Sequence, residues 1–283
     1  MHTFVNNMKT VLLMGALMGL FVAVGSVWGE RGMIMALAFG GLMNVIAWFF
    51  SDKIAVAAMR GKEVTAQSDP ALYGLVDELR QRAGLPMPKV YVCPHEAPNA
   101  FATGRSPRKA AVAVTRGLMR MTDRDELAGV IAHELAHVKN RDTLTSCVAA
   151  TIAGVLAFLA QWGFFMMGGR REGQNPLVMI GVVILGAIGA ALIKAMISRS
   201  REYVADADGA RIAGSPRGLM SALQKLEVAA GRIPLEQPNP AMNNMFIVEP
   251  LAGGQALVNL FASHPPTEKR IAALRSLEMA PGF

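Results

Sequence analysis

Charged residues are scarce in this chain of 283 residues: only 17% are Asp, Glu, Lys or Arg, whereas 52% are hydrophobic. Soluble domains carry about 25% charged residues, so the composition argues against a purely soluble protein. Aromatic residues are few as well, at 6%, and they do not interleave with basic residues in the pattern that binds nucleic acid. We therefore expect no nucleic-acid partner, although the net charge is +7. It fits the positive flanks of membrane spans.

Cysteine is almost absent, with Cys93 and Cys147 the two examples in the chain. They fall in segments of different character, and neither belongs to a CxxC pair. A disulfide framework and a cysteine metal site are therefore both disfavoured. The sequence also has no internal repeat at the periods of solenoid proteins.

Long uncharged runs are abundant by contrast, and there are four of them: 11–28, 32–51, 143–169 and 173–193. Each is long enough to cross a hydrocarbon core of about 30 Å as a helix. A soluble core would rarely bury four such helices. The first run follows Lys9 and has the alternative interpretation of a signal peptide. Because no clear small-residue cleavage site follows it, we predict an uncleaved anchor.

The four spans form two predicted hairpins, because the links 29–31 and 168–174 are short. Both larger polar segments then lie on the opposite side from the links. Ten basic residues flank the spans on the side of the polar segments, and three lie in the links. The ten are Lys9, Lys53, Arg60, Lys62, Lys139, Arg141, Lys194, Arg199, Arg201 and Arg211, and the three are Arg31, Arg170 and Arg171. The positive-inside rule places the polar segments in the cytoplasm.

This topology predicts a multi-pass α-helical membrane protein with a cytosolic α+β domain that the second hairpin interrupts. The expected units are a first hairpin over 1–52, a first domain part over 53–143, a second hairpin over 144–197 and a second domain part over 198–283. Apolar periodicity predicts helices over 69–83, 122–143, 200–213, 217–230 and 267–278, and strands over 89–93 and 110–115. A capping box that begins at Thr122 is expected to open the second of these helices.

The metal motif is His133-Glu134-Leu135-Ala136-His137, an HExxH pattern. Residues four apart share a helix face, so both imidazoles can reach one ion. Glu134 lies beside them and is placed to hold a water molecule as general base. The alternative is a chance match on a surface helix. Its position inside an apolar helix favours a zinc site.

A catalytic zinc needs a third protein ligand, and Glu202 is the candidate. The third and fourth spans should be antiparallel neighbours. His137 lies about 15 Å before the third span, if its helix continues, and Glu202 lies about 14 Å after the fourth. The two side chains would thus reach similar depth. Asp206 shares the face of Glu202 and would accept a hydrogen bond from a ligand imidazole. The alternative for Glu202 is a surface carboxylate paired with Arg201 or Arg199.

Two further candidates stay open on the residues alone. His264 precedes a Pro-Pro pair and either donates to a developing oxyanion or has a local loop role. The stretch Asn99, Ala100, Phe101, Ala102, Thr103 and Gly104 is either an edge strand that pairs with extended substrate or a plain loop. His95 has no partner at metal spacing, so a loop role is expected for it.

The HExxH motif together with Ser198-Arg199-Ser200-Arg201-Glu202-Tyr203-Val204-Ala205-Asp206 closely resembles the HtpX heat-shock membrane proteases of bacteria, which are related to the CAAX prenyl endoproteases. The 99–104 stretch and Ser263-His264-Pro265 also match, so the resemblance covers nearly the whole chain. It implies a gluzincin-type metalloprotease domain with Glu202 as third ligand and Asp206 behind a ligand histidine. It further implies that 99–104 borders the cleft and that His264 faces the reaction centre.

The expected function is that of a metalloendopeptidase with one Zn²⁺ per chain, catalytic Glu134 and His264, and ligands His133, His137 and Glu202. The resemblance implies substrates among misfolded or damaged membrane proteins of the cell inner membrane, cut on the cytoplasmic face. A CAAX processing protease is a second interpretation, although such relatives surround their site with more spans. A zinc-stabilised membrane scaffold without hydrolysis is a third. It would need the ligands but no Glu134.

Overall fold

The computed structural model describes residues 29–145, 199–230 and 265–279, with scattered positions between 8 and 26. The helices within them are α1 (Gly29–Ala58), α2 (Pro70–Ala83), α3 (Arg116–Met121), α4 (Arg124–Asn140), α5 (Arg199–Ala213), α6 (Arg217–Ala230) and α7 (Thr267–Glu278). The strands are β1 (Lys62–Val64), β2 (Lys89–Cys93), β3 (Ala100–Thr103) and β4 (Ala111–Thr115), and a 3₁₀ turn covers Pro107–Lys109. Most predicted elements are confirmed to within a residue or two. β1 and α3 are additions to the predicted elements.

The sheet has the strand order β1-β2-β4-β3, so β3 lies at one edge. β2 and β4 are parallel, while β3 runs antiparallel to β4 with Ala102 opposite Val112. The backbone N–H of Thr115 donates to the carbonyl of Asn99. Because hydrogen-bonded pairs alternate along an antiparallel ladder, the polar backbone groups of Ala100 and Ala102 point to the free edge. Of the two alternatives left open for the 99–104 stretch, the structure shows an edge strand at Ala100–Thr103 and not a plain loop.

Helices cover one face of the sheet, with α4 at the centre of the core. Val112 and Val114 of β4 pack with Ile131 and Leu135 of α4 and with Leu223 of α6 in one buried cluster. Each of these side chains is no more than 1% exposed. Burying an aliphatic side chain of this size contributes about 1.5–3 kcal/mol, so this cluster fixes the position of α4 against the sheet.

The opposite face of the sheet is covered by the C-terminal end of α1. Ala55, Val56 and Met59 pack against Cys93 and Phe101. Burial raises the pKa of the Cys93 thiol to about 12, so this cysteine is an inert packing group.

The rest of α1 is apolar and poorly covered by protein. An 18-residue stretch within Gly29–Phe50 has a mean hydropathy of 2.0, and 12% of its residues are buried. Met35 and Ile34 are 74% and 60% exposed. By length and composition this is the one helix, among the residues that the structure describes, able to cross a membrane. The helix begins at Gly29, so the predicted link 29–31 is wrong. Glu30 and Arg31 lie in its first turn.

Described positions of the first uncharged run lie against α1 in reverse order. The Asn44 side chain donates to the carbonyl of Met14 at 3.1 Å, and the Phe21 and Phe39 rings meet edge to face with centroids 5.4 Å apart. Partner numbers fall as the first segment advances, which is the pattern of an antiparallel hairpin. Apart from residues 143–145, the third and fourth predicted spans lie outside the described residues.

Two predicted details of α4 are wrong. The capping box is Asp123 with Glu126, not Thr122 with Asp125. The hydroxyl of Thr122 instead donates to the carbonyl of Leu118, which leaves Asp123 to accept from the backbone N–H of Glu126. At its other end the helix does not continue through Thr143. It ends at Asn140, because Arg141 adopts the left-handed conformation with φ 59° and ψ 34°.

Candidate metal centre

Helix α4 presents both motif histidines toward one point. The Nε2 atoms of His133 and His137 lie 3.2 Å apart, and the two rings meet edge to face with centroids 4.7 Å apart. The side chain of His133 is 1% exposed and that of His137 is 15% exposed. The arrangement follows from the four-residue spacing on a helix whose other faces are held in the core.

Helix α5 brings Glu202 to the same point. Its Oε2 lies 3.6 Å from His133 Nε2, and its Oε1 lies 3.6 Å from His137 Nε2. The close approach of α5 depends on Gly209, where an added Cβ would stand 2.8 Å from the Cα of His133. Glu202, Asp206 and Gly209 lie four and three residues apart, so they share the face of α5 that meets α4.

Asp206 lies behind His133, with Oδ1 2.9 Å from His133 Nδ1. Arg270 of α7 donates to the same carboxylate from Nε at 2.9 Å and from Nη2 at 2.6 Å. Burial alone would raise the pKa of Asp206, but the Arg270 guanidinium outweighs it and holds the pKa well below its usual range. Asp206 is therefore a carboxylate anion behind the ring.

The charges around His133 favour a cation. Burial alone would lower the pKa of His133, but the Asp206 and Glu202 carboxylates outweigh it and raise the pKa to about 9. The side chain of Glu202 is only 7% exposed. A buried group of acids around two imidazoles is stabilised by positive charge at their shared face.

A second carboxylate lies behind His137. Asp142 Oδ2 is 3.1 Å from His137 Nδ1, and Asp142 Oδ1 is 3.7 Å from Arg201 Nη1. Sequence reasoning missed Asp142 and Arg270 as contributors to the site and gave Arg201 no part in it beyond a possible surface pair with Glu202. Asp142 was hidden by the assumption that α4 continues through it. Arg270 lies 64 residues from Asp206 and carries no local signal.

Glu134 faces the free edge of the sheet. Its Oε2 accepts a hydrogen bond of 2.7 Å from the backbone N–H of Ala102. Ala100 shares this edge, whereas Phe101 packs on the opposite face against α1. The carbonyl of Gly104 accepts from Thr143 Oγ1 at 2.9 Å. Of the 99–104 stretch, the backbone of Ala102 thus contacts the proposed general base directly.

Other sequence candidates lie elsewhere. Asn99 is buried, and its backbone N–H donates to Thr115 Oγ1 at 2.9 Å; the buried Thr103 pairs with Ala111. His95 Nε2 lies 3.1 Å from the carbonyl of Met59 at the end of α1. His264 is outside the described residues, so its expected role as an oxyanion donor is not tested.

The residues at the focus of the site fit a zinc ion. One atom from each of His133, His137 and Glu202 lies within 4.8 Å of the others. Ligands at about 2.0–2.2 Å from a tetrahedral zinc lie about 3.3–3.6 Å from one another, and the separations of 3.2 and 3.6 Å match that spacing. Two imidazoles and one carboxylate form the ligand set of a catalytic metal with a fourth position open. Fold and site together define a metallopeptidase.

Comparison with known proteins agrees with this class. The model of "Peptidase family M48" matches residues 66–278. The chain belongs to this family. It is 51% identical over 277 residues to "Protease HtpX homolog" of Desulfatibacillum aliphaticivorans, covering 95% of this chain and 89% of that protein. It is 47% identical over 293 residues to the protein of that name in Sulfurihydrogenibium sp., covering 98% and 99%. The predicted resemblance to the HtpX proteases is confirmed.

The fold is also found in a solved structure. The crystal structure of S. mikatae Ste24p superimposes with a TM-score of 0.55 at 17% identity. The match covers 96% of this chain and 66% of that chain.

Proposed function

We propose that this chain is a zinc-dependent endopeptidase of the cell inner membrane that hydrolyses misfolded or damaged membrane proteins at the cytoplasmic face. The observation that carries the proposal is the meeting of His133, His137 and Glu202 at 3.2–3.6 Å, with Glu134 beside them on an open sheet edge. His133, His137 and Glu202 would hold one Zn²⁺ per chain. When bound, the metal polarises the scissile carbonyl and makes a water molecule more acidic.

Glu134 is the proposed general base. It would accept a proton from the attacking water and pass that proton to the leaving amine. Its carboxylate is held by the Ala102 N–H, which fixes its position beside the free edge. His264 is the proposed donor to the oxygen that gains negative charge during attack, and such a donor raises turnover because the charge develops only in the transition state.

The substrate site is the free edge of β3, where the N–H and carbonyl of Ala100 and the carbonyl of Ala102 point outward, while the Ala102 N–H holds Glu134. A substrate strand added there would be recognised through its main chain, with little dependence on its side chains. Main-chain recognition requires an extended segment, and unfolded segments of varied sequence supply one. This supports misfolded proteins as the substrate class.

A location beside the membrane is supported by α1. Its apolar stretch ends at Phe50, and the same helix continues to pack under the sheet through Ala55 and Val56. Arg105, two residues beyond β3, places its guanidinium 4.7 Å from the centre of the Phe49 ring. The substrate edge thus ends near the boundary of the apolar helix. We propose four spans in two hairpins, with the domain boundaries 1–52, 53–143, 144–197 and 198–283 expected from the sequence.

The proposal is tested with purified full-length protein in detergent, by metal analysis and a casein cleavage assay. We expect about one zinc per chain and cleavage. Glu134→Gln should retain the zinc and lose cleavage, whereas His133→Ala should lose both. Glu227→Gln alters an exposed carboxylate on α6 and should match the wild type. Zinc without cleavage in the wild-type protein would instead support the scaffold interpretation.

The orientation is tested separately. A C-terminal alkaline phosphatase fusion needs an oxidising compartment to form its disulfides. With the active site in the cytoplasm, the fusion should be inactive in bacterial cells while a cytoplasmic reporter at the same position is active. A strongly active phosphatase fusion would overturn the cytoplasmic assignment.

A further inference from the structure

The end of α4 has an unusual backbone. Arg141 adopts φ 59° and ψ 34°, and its N–H bonds the carbonyls of His137 and Val138. A left-handed conformation is unfavourable for a residue other than glycine, because its Cβ crowds the following carbonyl oxygen. In a straight helix Asp142, five residues after His137, would point about 140° away from it. Because the chain turns at Arg141, the Asp142 side chain instead lies against the last turn of α4, beside His137.

The Asp142 carboxylate is buried, with its side chain 6% exposed. One oxygen lies 3.1 Å from His137 Nδ1, and the other lies 3.7 Å from Arg201 Nη1. Arg201 precedes Glu202, the third residue of the metal cluster. Asp142 therefore links the end of α4 to the start of α5 directly behind the His137 ring.

The two histidines are supported in the same way but not equally. Asp206 stands behind His133 at 2.9 Å, as Asp142 stands behind His137. His133 is enclosed by the core at 1% exposure, so packing alone restricts its ring. His137 is 15% exposed and depends more on a specific contact to fix its orientation.

We propose that Asp142 is the positioning residue for His137. Its carboxylate keeps the proton of the imidazole on Nδ1 and turns Nε2 toward His133 and Glu202. This inference rests on the proposed metal site. Removing the contact leaves the ring free to rotate, so that Nε2 is no longer held toward His133 and Glu202. Partners of this kind typically change metal affinity or activity by about 10–100-fold.

The test is zinc affinity of the full-length protein in detergent, measured by competition with a chelator. Asp142→Ala should bind zinc about 10–100-fold more weakly. Asp142→Asn keeps an acceptor but loses the charge, so its affinity should fall between those of the wild type and Asp142→Ala. The visible absorption spectrum of the cobalt-substituted protein should change in both variants, because it reports the ligand geometry directly.

Asp208→Asn is the matched control. Asp208 ties the same end of α4 by accepting from Asn140 Nδ2 at 3.1 Å. Within the described residues it contacts Asn140 and Arg211 and neither imidazole. This variant should lower the melting temperature without changing zinc affinity or the cobalt spectrum.

The outcomes separate the claims. Wild-type protein that binds no zinc contradicts the proposed function itself. If the wild-type protein binds zinc but Asp142→Asn has the same zinc affinity and cobalt spectrum as the wild type, only the role proposed for Asp142 is overturned. A loss of zinc affinity in Asp208→Asn equal to that in the Asp142 variants would also overturn it. If Asp142→Ala does not fold, the zinc affinity and cobalt spectrum of Asp142→Asn decide whether Asp142 positions His137.

Discussion

Gly209 controls how closely α5 approaches the metal helix. An added Cβ would stand 2.8 Å from His133 Cα and 2.9 Å from His133 N, whereas ordinary contact begins at 3.4 Å. Both neighbours are backbone atoms that cannot rotate away. Gly209→Ala must therefore move α5 outward by about 0.6 Å at this crossing, and Glu202 and Asp206 lie on the face that moves.

The loss of stability in Gly209→Ala follows from two opposing effects. Overpacking of a well-filled contact costs about 1–3 kcal/mol, while alanine in place of glycine within a helix gains about 0.5–1 kcal/mol. We expect a net loss of about 1–2 kcal/mol. This corresponds to a fall in melting temperature of about 2–4 °C per kcal/mol for a domain of this size.

The shift should also weaken the metal site. Metal–ligand distances hold to within about 0.2 Å, so a displacement near 0.6 Å cannot be absorbed without strain. Strain of about 1.4 kcal/mol in the metal-bound state would lower zinc affinity tenfold. Thermal unfolding with and without zinc, and chelator competition, measure the two effects separately.

Gly74→Ala is the control for this substitution. Gly74 lies inside α2, and an added Cβ there meets nothing within 4 Å. This variant should be slightly more stable than the wild type, with unchanged zinc affinity. If Gly209→Ala also melts and binds zinc like the wild type, the close α4–α5 contact does not hold the ligands as described.

Three further outcomes are expected in thermal melts of the full-length protein. Arg141→Gly should raise stability by about 1 kcal/mol, because glycine adopts the left-handed conformation without strain; an unchanged or lower melting temperature would contradict that backbone. Arg270→Met should destabilise by about 3–5 kcal/mol, since it leaves the buried Asp206 charge unpaired, and a near-neutral effect would refute the ion pair. Burial would raise the pKa of Glu126, but Lys225 at 2.6 Å, together with hydrogen bonds from Ser221 and the Asp123 backbone, outweighs it and lowers the pKa. Stability from this depressed pKa is present above the ordinary Glu range and lost as pH falls below it. Lys225→Met should thus destabilise the metal-free protein at pH 7 but much less near pH 3, and a pH-independent difference would refute the pairing.

Local patterns were sufficient to predict most of the described elements. Leu72, Leu75, Val76 and Leu79 recur at helical spacing and are the buried face of α2. Strand β2 occupies the predicted residues Lys89–Cys93. Helix α2 buries a single face, so its apolar period is read directly from the chain.

The central residues of the site could also be predicted from the sequence, because they lie at helical spacings. His133 and His137 are four apart on α4, and Glu202 and Asp206 are four apart on α5. The pairing of the two helices had to be inferred from membrane topology and from family resemblance. Spacing alone does not say which helices touch.

The residues behind the imidazoles were harder to predict from the sequence. Asp142 reaches His137 only because Arg141 breaks the helix, and an arginine gives no sign that it will adopt a positive φ. Arg270 is fully buried against Asp206 from a helix in a distant part of the chain. An arginine on an amphipathic helix is normally solvent-exposed, so only the tertiary structure identifies this one.

The most direct test of the central claim is zinc K-edge X-ray absorption of the purified full-length protein. The account predicts a four-coordinate site of nitrogen and oxygen ligands with two imidazoles, at about 2.0–2.2 Å. His137→Ala should reduce the imidazole count to one, and His95→Ala should leave it at two. Sulfur ligands, a third imidazole, or a wild-type spectrum in His137→Ala would contradict the assignment of His133, His137 and Glu202 as the metal ligands.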